Sequence, residues 1–419
     1  MSAYKFPDNF LWGTAASAYQ TEGGNTHSDW HQMEIAELSR PVDRRRIKQP
    51  CGIACDHWNR YEQDFDLAAE IGVRVHRLSV EWSRVFPEPG KRDRAVLDHY
   101  RGMITALKSR GIQVMLCLHH FTIPQWLVEI GGYENRRLLI DHFREYLDVT
   151  VQSVGELVDY WLPINEPNVV PLAGYLAAYF PPFKRSPSAF IQVFRTFFHM
   201  HALSYHVIKK HRPNAPVGVA FAFTHFQPFD PSKAFHRWGA SFANRAINTV
   251  FFDGIRNGRV GFPLGFAAHI PGLKESLDYV GLNYYTSNYM KGLTPVANKP
   301  GDQVTDMGWI IYPEGLYEIL HYLAATVKVP IIVTENGMAT ENESLRINYM
   351  NEHLIQVYKA IEEGIPIRGY MCWSLTDNFE WNRGFDMRFG LVHVDYESQR
   401  RRIKEGGRWY SEVIKKNGL

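Results

Sequence analysis

Short runs of apolar and β-branched residues recur along the chain, each followed by a longer stretch in which apolar residues return every three or four positions. The first pattern predicts strands and the second amphipathic helices. The strand runs are Phe10–Ala15, Val73–Ser79, Gln113–Leu118, Tyr160–Ile164, Val217–Ala222, Tyr279–Leu282, Ile331–Thr334 and Ile367–Trp373. Helical patterns such as Tyr61–Ile71 and Ala95–Arg110 lie between them, the second with Gly111 where a C-terminal cap belongs. The alternation is not broken by a low-complexity tract or a flexible linker. It predicts an α/β protein, a single (β/α)8 barrel over residues 1–419, with a doubly wound sheet as the alternative.

In such a barrel the residues just after each strand gather on one face, where ligands bind. Here those positions hold Gln20 and Glu22; Arg77 and Glu81; His119, His120 and Phe121; Asn165 and Glu166; Asn283, Tyr284 and Tyr285; Glu335; and Trp373, Glu380 and Trp381. Two of the ends stand out. Ile331-Ile332-Val333 runs into Thr334-Glu335-Asn336-Gly337, and Tyr160-Trp161-Leu162-Pro163-Ile164 runs into Asn165-Glu166-Pro167. Two carboxyl groups presented by two strand ends suit cleavage of a glycosidic bond, which needs one ionised and one protonated carboxyl.

Composition agrees with this reading. Aromatic residues make up 14% of the chain, and their faces are what sugar rings pack against. Lys and Arg number 46 against 44 acids, so a formal charge of +2 recommends neither nucleic acid nor an anionic membrane as partner. Arg44-Arg45-Arg46 and Arg400-Arg401-Arg402 read as solvated loop faces. Cys51, Cys55, Cys117 and Cys372 are too irregularly spaced for a disulfide framework or a zinc site. His199, His201 and His206 lie in a helical run without a carboxylate at ligand spacing, so neither a metal nor a cofactor is expected. Met1–Phe10 shows no basic stretch leading into an apolar run, and no apolar stretch is long enough to span a bilayer. A cytoplasmic protein is the expectation.

The motifs resemble glycoside hydrolase family 1, the retaining β-glucosidases and β-galactosidases. The resemblance rests on Phe10-Leu11-Trp12-Gly13-Thr14-Ala15, Tyr19-Gln20-Thr21-Glu22-Gly23, Arg77-Leu78-Ser79-Val80-Glu81-Trp82-Ser83-Arg84, Asn165-Glu166-Pro167, Asn283-Tyr284-Tyr285, Thr334-Glu335-Asn336-Gly337, Trp373-Ser374 and Asp377-Asn378-Phe379-Glu380-Trp381. It extends to Arg388-Phe389-Gly390-Leu391-Val392 and Trp409-Tyr410, and the segment around Glu81 looks most like archaeal and thermophilic members. The resemblance implies Glu335 as nucleophile and Glu166 as general acid/base, with Arg77 and Tyr285 holding the nucleophile ionised and oriented. It implies Gln20, His119, Asn165, Asn283, Glu380 and Trp381 as glycone contacts, Trp373 as the floor under the sugar, and Trp309 and Phe389 as aromatic lining.

Two departures from the family pattern stand out. The residue after the glycone histidine is usually Trp and is read here as His120, and the residue after Asn-Glu-Pro is often Trp and here is Asn168. The expected activity is exo-acting, retaining hydrolysis of small β-glycosides or oligosaccharides. A 6-phospho-β-glycosidase, disfavoured by Glu380, and a non-catalytic sugar-binding barrel are the alternatives.

Overall fold

The computed structural model describes residues 4–419, so the first three residues of the Met1–Phe10 stretch lie outside it. Eight parallel strands form its centre: β1 (Leu11–Ala15), β2 (Val75–Ser79), β3 (Gln113–Cys117), β4 (Tyr160–Leu162), β5 (Gly218–Pro228), β6 (Tyr279–Lys291), β7 (Ile331–Asn336) and β8 (Ile367–Trp373). They pair in the order β4-β3-β2-β1-β8-β7-β6-β5. The two outer strands then meet, because Trp161 bridges to Val217 and Asn165 to Ala220, with Trp161 N–H donating to the Pro216 carbonyl at 2.9 Å. That contact closes the sheet into the expected barrel.

A helix follows each strand: α1 (His57–Ile71), α2 (Arg94–Ser109), α3 (Arg136–Val154), α4 (Pro187–His211), α5 (Val250–Asn257), α6 (Pro313–Thr326), α7 (Glu343–Glu362) and α8 (Glu405–Lys416). α2 shows how local sequence sets these limits. Asp93 accepts from Val96 N–H at 3.1 Å to start it, and Gly111, at φ 72°, ends it. Gly111 N–H reaches Lys108 O at 3.0 Å and Ile112 N–H reaches Leu107 O at 3.1 Å, the paired bonds of a Schellman cap.

Val75, Met115, Leu162, Ala220, Ile332 and Met371 fill the barrel interior, while a larger apolar layer lies between strands and helices. Most strand limits fall within two residues of those predicted. β5 and β6 instead run well past Ala222 and Leu282 and stay paired as far as Pro228 and Met290. From Thr224 to Pro228 every β5 side chain is only half-buried as the strand leaves the barrel wall, so the continuous apolar run that signals a core strand stops earlier than the strand does.

Candidate active site

At the C-terminal ends of the strands lies a cavity of about 270 Å³. Its walls include Gln20, Asn165, Glu166, Asn283, Tyr285, Trp309, Glu335, Trp373, Glu380, Trp381 and Phe389, all of the expected site residues except Arg77 and His119.

Glu335 reaches the cavity through an irregularity in its strand. Ile332 points into the barrel, so strict alternation would turn Glu335 away. The pairing of β7 with β6 slips between Val333 and Glu335, and the slip re-aims the carboxylate. Its Oε1 accepts from Arg77 Nη2 and its Oε2 from the Tyr285 hydroxyl. Arg77 is fully buried behind the cavity wall, on the same face of β2 as Val75, and its Nη1 donates to Asn165 Oδ1 at 3.1 Å. The neighbouring motif residues are structural. Asn336 donates to Tyr284 O at 2.6 Å and accepts from the Tyr370 hydroxyl at 2.7 Å, and a Cβ on Gly337 would sit 1.9 Å from the Trp373 carbonyl oxygen. Only glycine fits there.

Glu166 follows β4 in the left-handed region at φ 51°, just before Pro167. Such a backbone costs on the order of 1–3 kcal/mol and persists where neighbours enforce it. Glu166 N–H donates to Ala220 O at 2.6 Å and Asn165 N–H to His119 O at 2.8 Å, pinning the turn across the barrel seam. Asn283 ties the Glu166 carboxyl to Asn165 and to Thr334, the residue before Glu335. Its amide receives the Thr334 hydroxyl at 2.7 Å on Oδ1, and its Nδ2 donates to Glu166 Oε1 at 2.8 Å and to Asn165 Oδ1 at 3.1 Å. Burial, and after it the charge of Glu335, push the Glu166 carboxyl up to about 8. Burial and the same charge push Glu380 up to about 8 as well. Near neutral pH both are protonated beside an ion-paired Glu335.

The histidine pair requires a correction. His119 does not line the cavity: its ring lies in the core near Tyr133, Phe143 and Phe197, with Nε2 2.7 Å from the Tyr133 hydroxyl. His120 lines the cavity, stacked near Trp373 and Trp381 at 6.0 and 6.1 Å, with Nε2 3.2 Å from Asn165 Nδ2. Adjacent residues leaving a strand face opposite ways, so a one-residue offset exchanges core for cavity. The histidine–aromatic pair is therefore His120-Phe121, and Phe121 also lines the cavity. Burial, then the Arg77 charge, hold His120 well below the usual imidazole range, so it is neutral.

Asn168 is likewise turned away, donating from Nδ2 to Ala222 O at 2.8 Å, while Tyr179 and Phe180 from the segment after it line the cavity. Those two rings, with Thr224 and Asn288 on the β5 and β6 extensions, were missed because no strand end announces them. Glu22 and Glu81 also leave the site, accepting from Arg84 Nε at 2.8 Å and Thr122 Oγ1 at 2.8 Å respectively.

The loop carrying Glu380 and Trp381 is anchored by buried Asp377, which accepts from Gly390 N–H at 2.9 Å and Lys404 Nζ at 2.7 Å. Gln20 Nε2 spans Phe379 O at 2.8 Å and Glu380 Oε2 at 3.3 Å. Tyr285, Trp309 and Phe389 form an aromatic cluster with centroids 5.5 to 6.3 Å apart on another wall. The cavity thus combines three carboxyl groups, those of Glu166, Glu335 and Glu380, with amide and imidazole partners and aromatic faces.

The glycosyl hydrolase family 1 profile matches residues 2–419. The chain belongs to that family. This family 1 hydrolase is 33% identical to β-glucosidase A of Acetivibrio thermocellus over the full length of both. Its fold superposes on the β-glycosidase from Pyrococcus horikoshii with a TM-score of 0.90 at 34% identity, covering 100% of this chain and 96% of that one. It superposes on the Thermotoga maritima β-glucosidase in complex with glucoimidazole with a TM-score of 0.91 at 32% identity, covering 100% of both chains. The (β/α)8 architecture and glycoside hydrolysis are therefore properties of this enzyme as well.

Proposed function

We propose that the chain acts as one catalytic unit, an exo-acting retaining β-glycosidase in which Glu335 is the nucleophile and Glu166 the general acid/base. The observation that carries this reading is the unequal surroundings of two carboxyl groups in one cavity: Glu335 is bound by the Arg77 guanidinium and the Tyr285 hydroxyl, whereas Glu166 is buried beside the Asn283 amide and pushed up to about 8. Glu335 attacks the anomeric carbon while Glu166 gives its proton to the departing oxygen, leaving a glycosyl ester on Glu335. The ester carries no charge, so the Glu335 contribution to the raised Glu166 carboxyl, second to burial, is gone, and Glu166 takes a proton from the water that releases the sugar.

A pocket of about 270 Å³ suits one terminal sugar rather than a chain threaded through a groove. Gln20, His120, Asn165 and Glu380 offer hydroxyl partners, with Trp373 and Trp381 against the ring faces. Among the described residues no lysine or arginine lines the cavity, which counts against a 6-phosphorylated glycone. The likeness to a β-glucosidase favours β-glucosides, with β-galactosides and β-fucosides next in line. Four cysteines, all buried and unpaired in the fold, suit a reducing compartment such as the cytoplasm. A panel of nitrophenyl β-glycosides tests the assignment: hydrolysis of the glucoside but not of its 6-phosphate is expected, and the reverse order overturns it.

The histidine correction is testable too. His120→Phe lowers kcat/KM by roughly 10- to 100-fold, the value of one or two lost hydrogen bonds in the transition state. His119→Phe leaves kcat/KM close to wild type but destabilises the fold by about 1–3 kcal/mol, because the Tyr133 contact is lost in the core. Steady-state kinetics and thermal melts of both variants distinguish the two histidines, and exchanged phenotypes restore His119 to the sugar.

A further inference from the structure

The nearly balanced total charge hides an uneven surface. Helix Ala234–Ala243 packs over the extended ends of β5 and β6, where Ala240 and Ala243 meet Phe226 and Met290. Its outer side carries Phe235, Trp238 and Phe242, whose rings lie 5.7 and 5.6 Å apart in near-parallel succession. Phe242 in turn meets Phe262 at 6.4 Å, and the same loop carries Phe266. Phe235, Trp238, Phe262, Phe266 and Leu293 are 60%, 51%, 71%, 95% and 56% exposed. At roughly 100 Å² each they present on the order of 500 Å² of apolar surface, near the upper end of what a soluble monomer shows.

The charges interleaved with these rings are mostly basic. From Asp230 to His269 the chain has five basic side chains and two acidic ones. Asp230 pairs with Lys233 at 3.6 Å and Asp253 with Arg256 at 3.0 Å. Arg237, Arg245 and Arg259 are left exposed with no carboxylate within ion-pair distance among the described residues, and exposed Lys291 borders Gly292 and Leu293 on the same face. A second copy docked here about a two-fold axis would set like charges against each other. A polysaccharide would find the stacked rings covering one another's faces.

We propose that this face docks peripherally on an anionic lipid surface, with the exposed rings entering the headgroup boundary and the unpaired arginines meeting lipid phosphates. The mode is surface attachment, since no helix among the described residues is long and apolar enough to cross a membrane. None of these residues lines the catalytic cavity, so attachment and hydrolysis are separable.

The test is co-sedimentation of the full chain with vesicles of phosphatidylcholine alone, or of phosphatidylcholine and phosphatidylglycerol in equal parts. Binding to the anionic vesicles that weakens with salt is expected. The triple variant Trp238→Ser, Phe262→Ser, Phe266→Ser loses at least tenfold in partitioning while hydrolysing a soluble aryl glycoside at the wild-type rate. The variant Arg237→Gln, Arg245→Gln, Arg259→Gln loses the salt-sensitive part. Equal binding to both vesicle types, unchanged binding by the triple variant, or a dimer in sedimentation velocity that the triple variant dissociates without any vesicle binding overturns the proposal.

Discussion

Glu335→Gln abolishes turnover of every glycoside, including those with activated leaving groups, by on the order of 10⁴-fold or more. At about 1.36 kcal/mol per tenfold, that loss exceeds 5 kcal/mol of transition-state stabilisation. The amide keeps the shape of the side chain and can still accept a hydrogen bond, but it cannot form the glycosyl ester. It also leaves Arg77 as a fully buried cation without its counter-ion, a change that costs roughly 3–5 kcal/mol of stability. Circular dichroism at the assay temperature separates the two effects. A folded variant with substantial residual activity on a nitrophenyl glycoside removes Glu335 from the nucleophile's role.

Glu166→Ala behaves differently, because its two tasks depend on the substrate. Glycosides with poor leaving groups lose about 10² to 10⁴-fold, the usual worth of general acid catalysis. A dinitrophenyl glycoside, which departs without a proton, still glycosylates Glu335, and the slow step becomes release of the sugar. Added azide, small enough to enter the space left by the side chain, then speeds turnover and yields a β-glycosyl azide. The pH profile gives a second reading. Burial and the Glu335 charge raise Glu166 to about 8, so the acid form dominates below that value and kcat/KM of the wild type falls as pH rises through it. The alanine variant lacks that alkaline limb on the activated substrate. Equal loss on all leaving groups, with no azide effect, contradicts the division of labour.

Much of this was legible in the chain before any coordinate. Buried parallel strands read as unbroken apolar runs, and the polar residues near their C-terminal ends gather at one end of the barrel, which is why Gln20, Asn165, Glu166, Asn283, Glu335 and Trp373 come together. What failed depended on local geometry. His119 and His120 are chemically identical in sequence, and only the direction in which each leaves β3 sends one to Tyr133 and the other to the cavity. The slip in β7 that turns Glu335 inward leaves no compositional trace. Phe180 and Tyr179 come from a loop far from any strand end, and rings of that kind look the same in sequence whether they fill a core or line a pocket. The aromatic face on helix Ala234–Ala243 was hidden for a related reason: bulk charge and aromatic content average over a surface on which both are concentrated in one place.

The most direct measurement is to incubate the enzyme with a 2-deoxy-2-fluoro-β-glucosyl fluoride, digest the inactivated protein and locate the sugar by mass spectrometry. The fluorine slows both steps while the good leaving group lets the first proceed, so the ester accumulates. An adduct on the carboxyl of Glu335, in a peptide containing Thr334 and Asn336, is the predicted result. An adduct on Glu166 or any other residue would contradict it, as would release of product with the opposite anomeric configuration and no adduct at all.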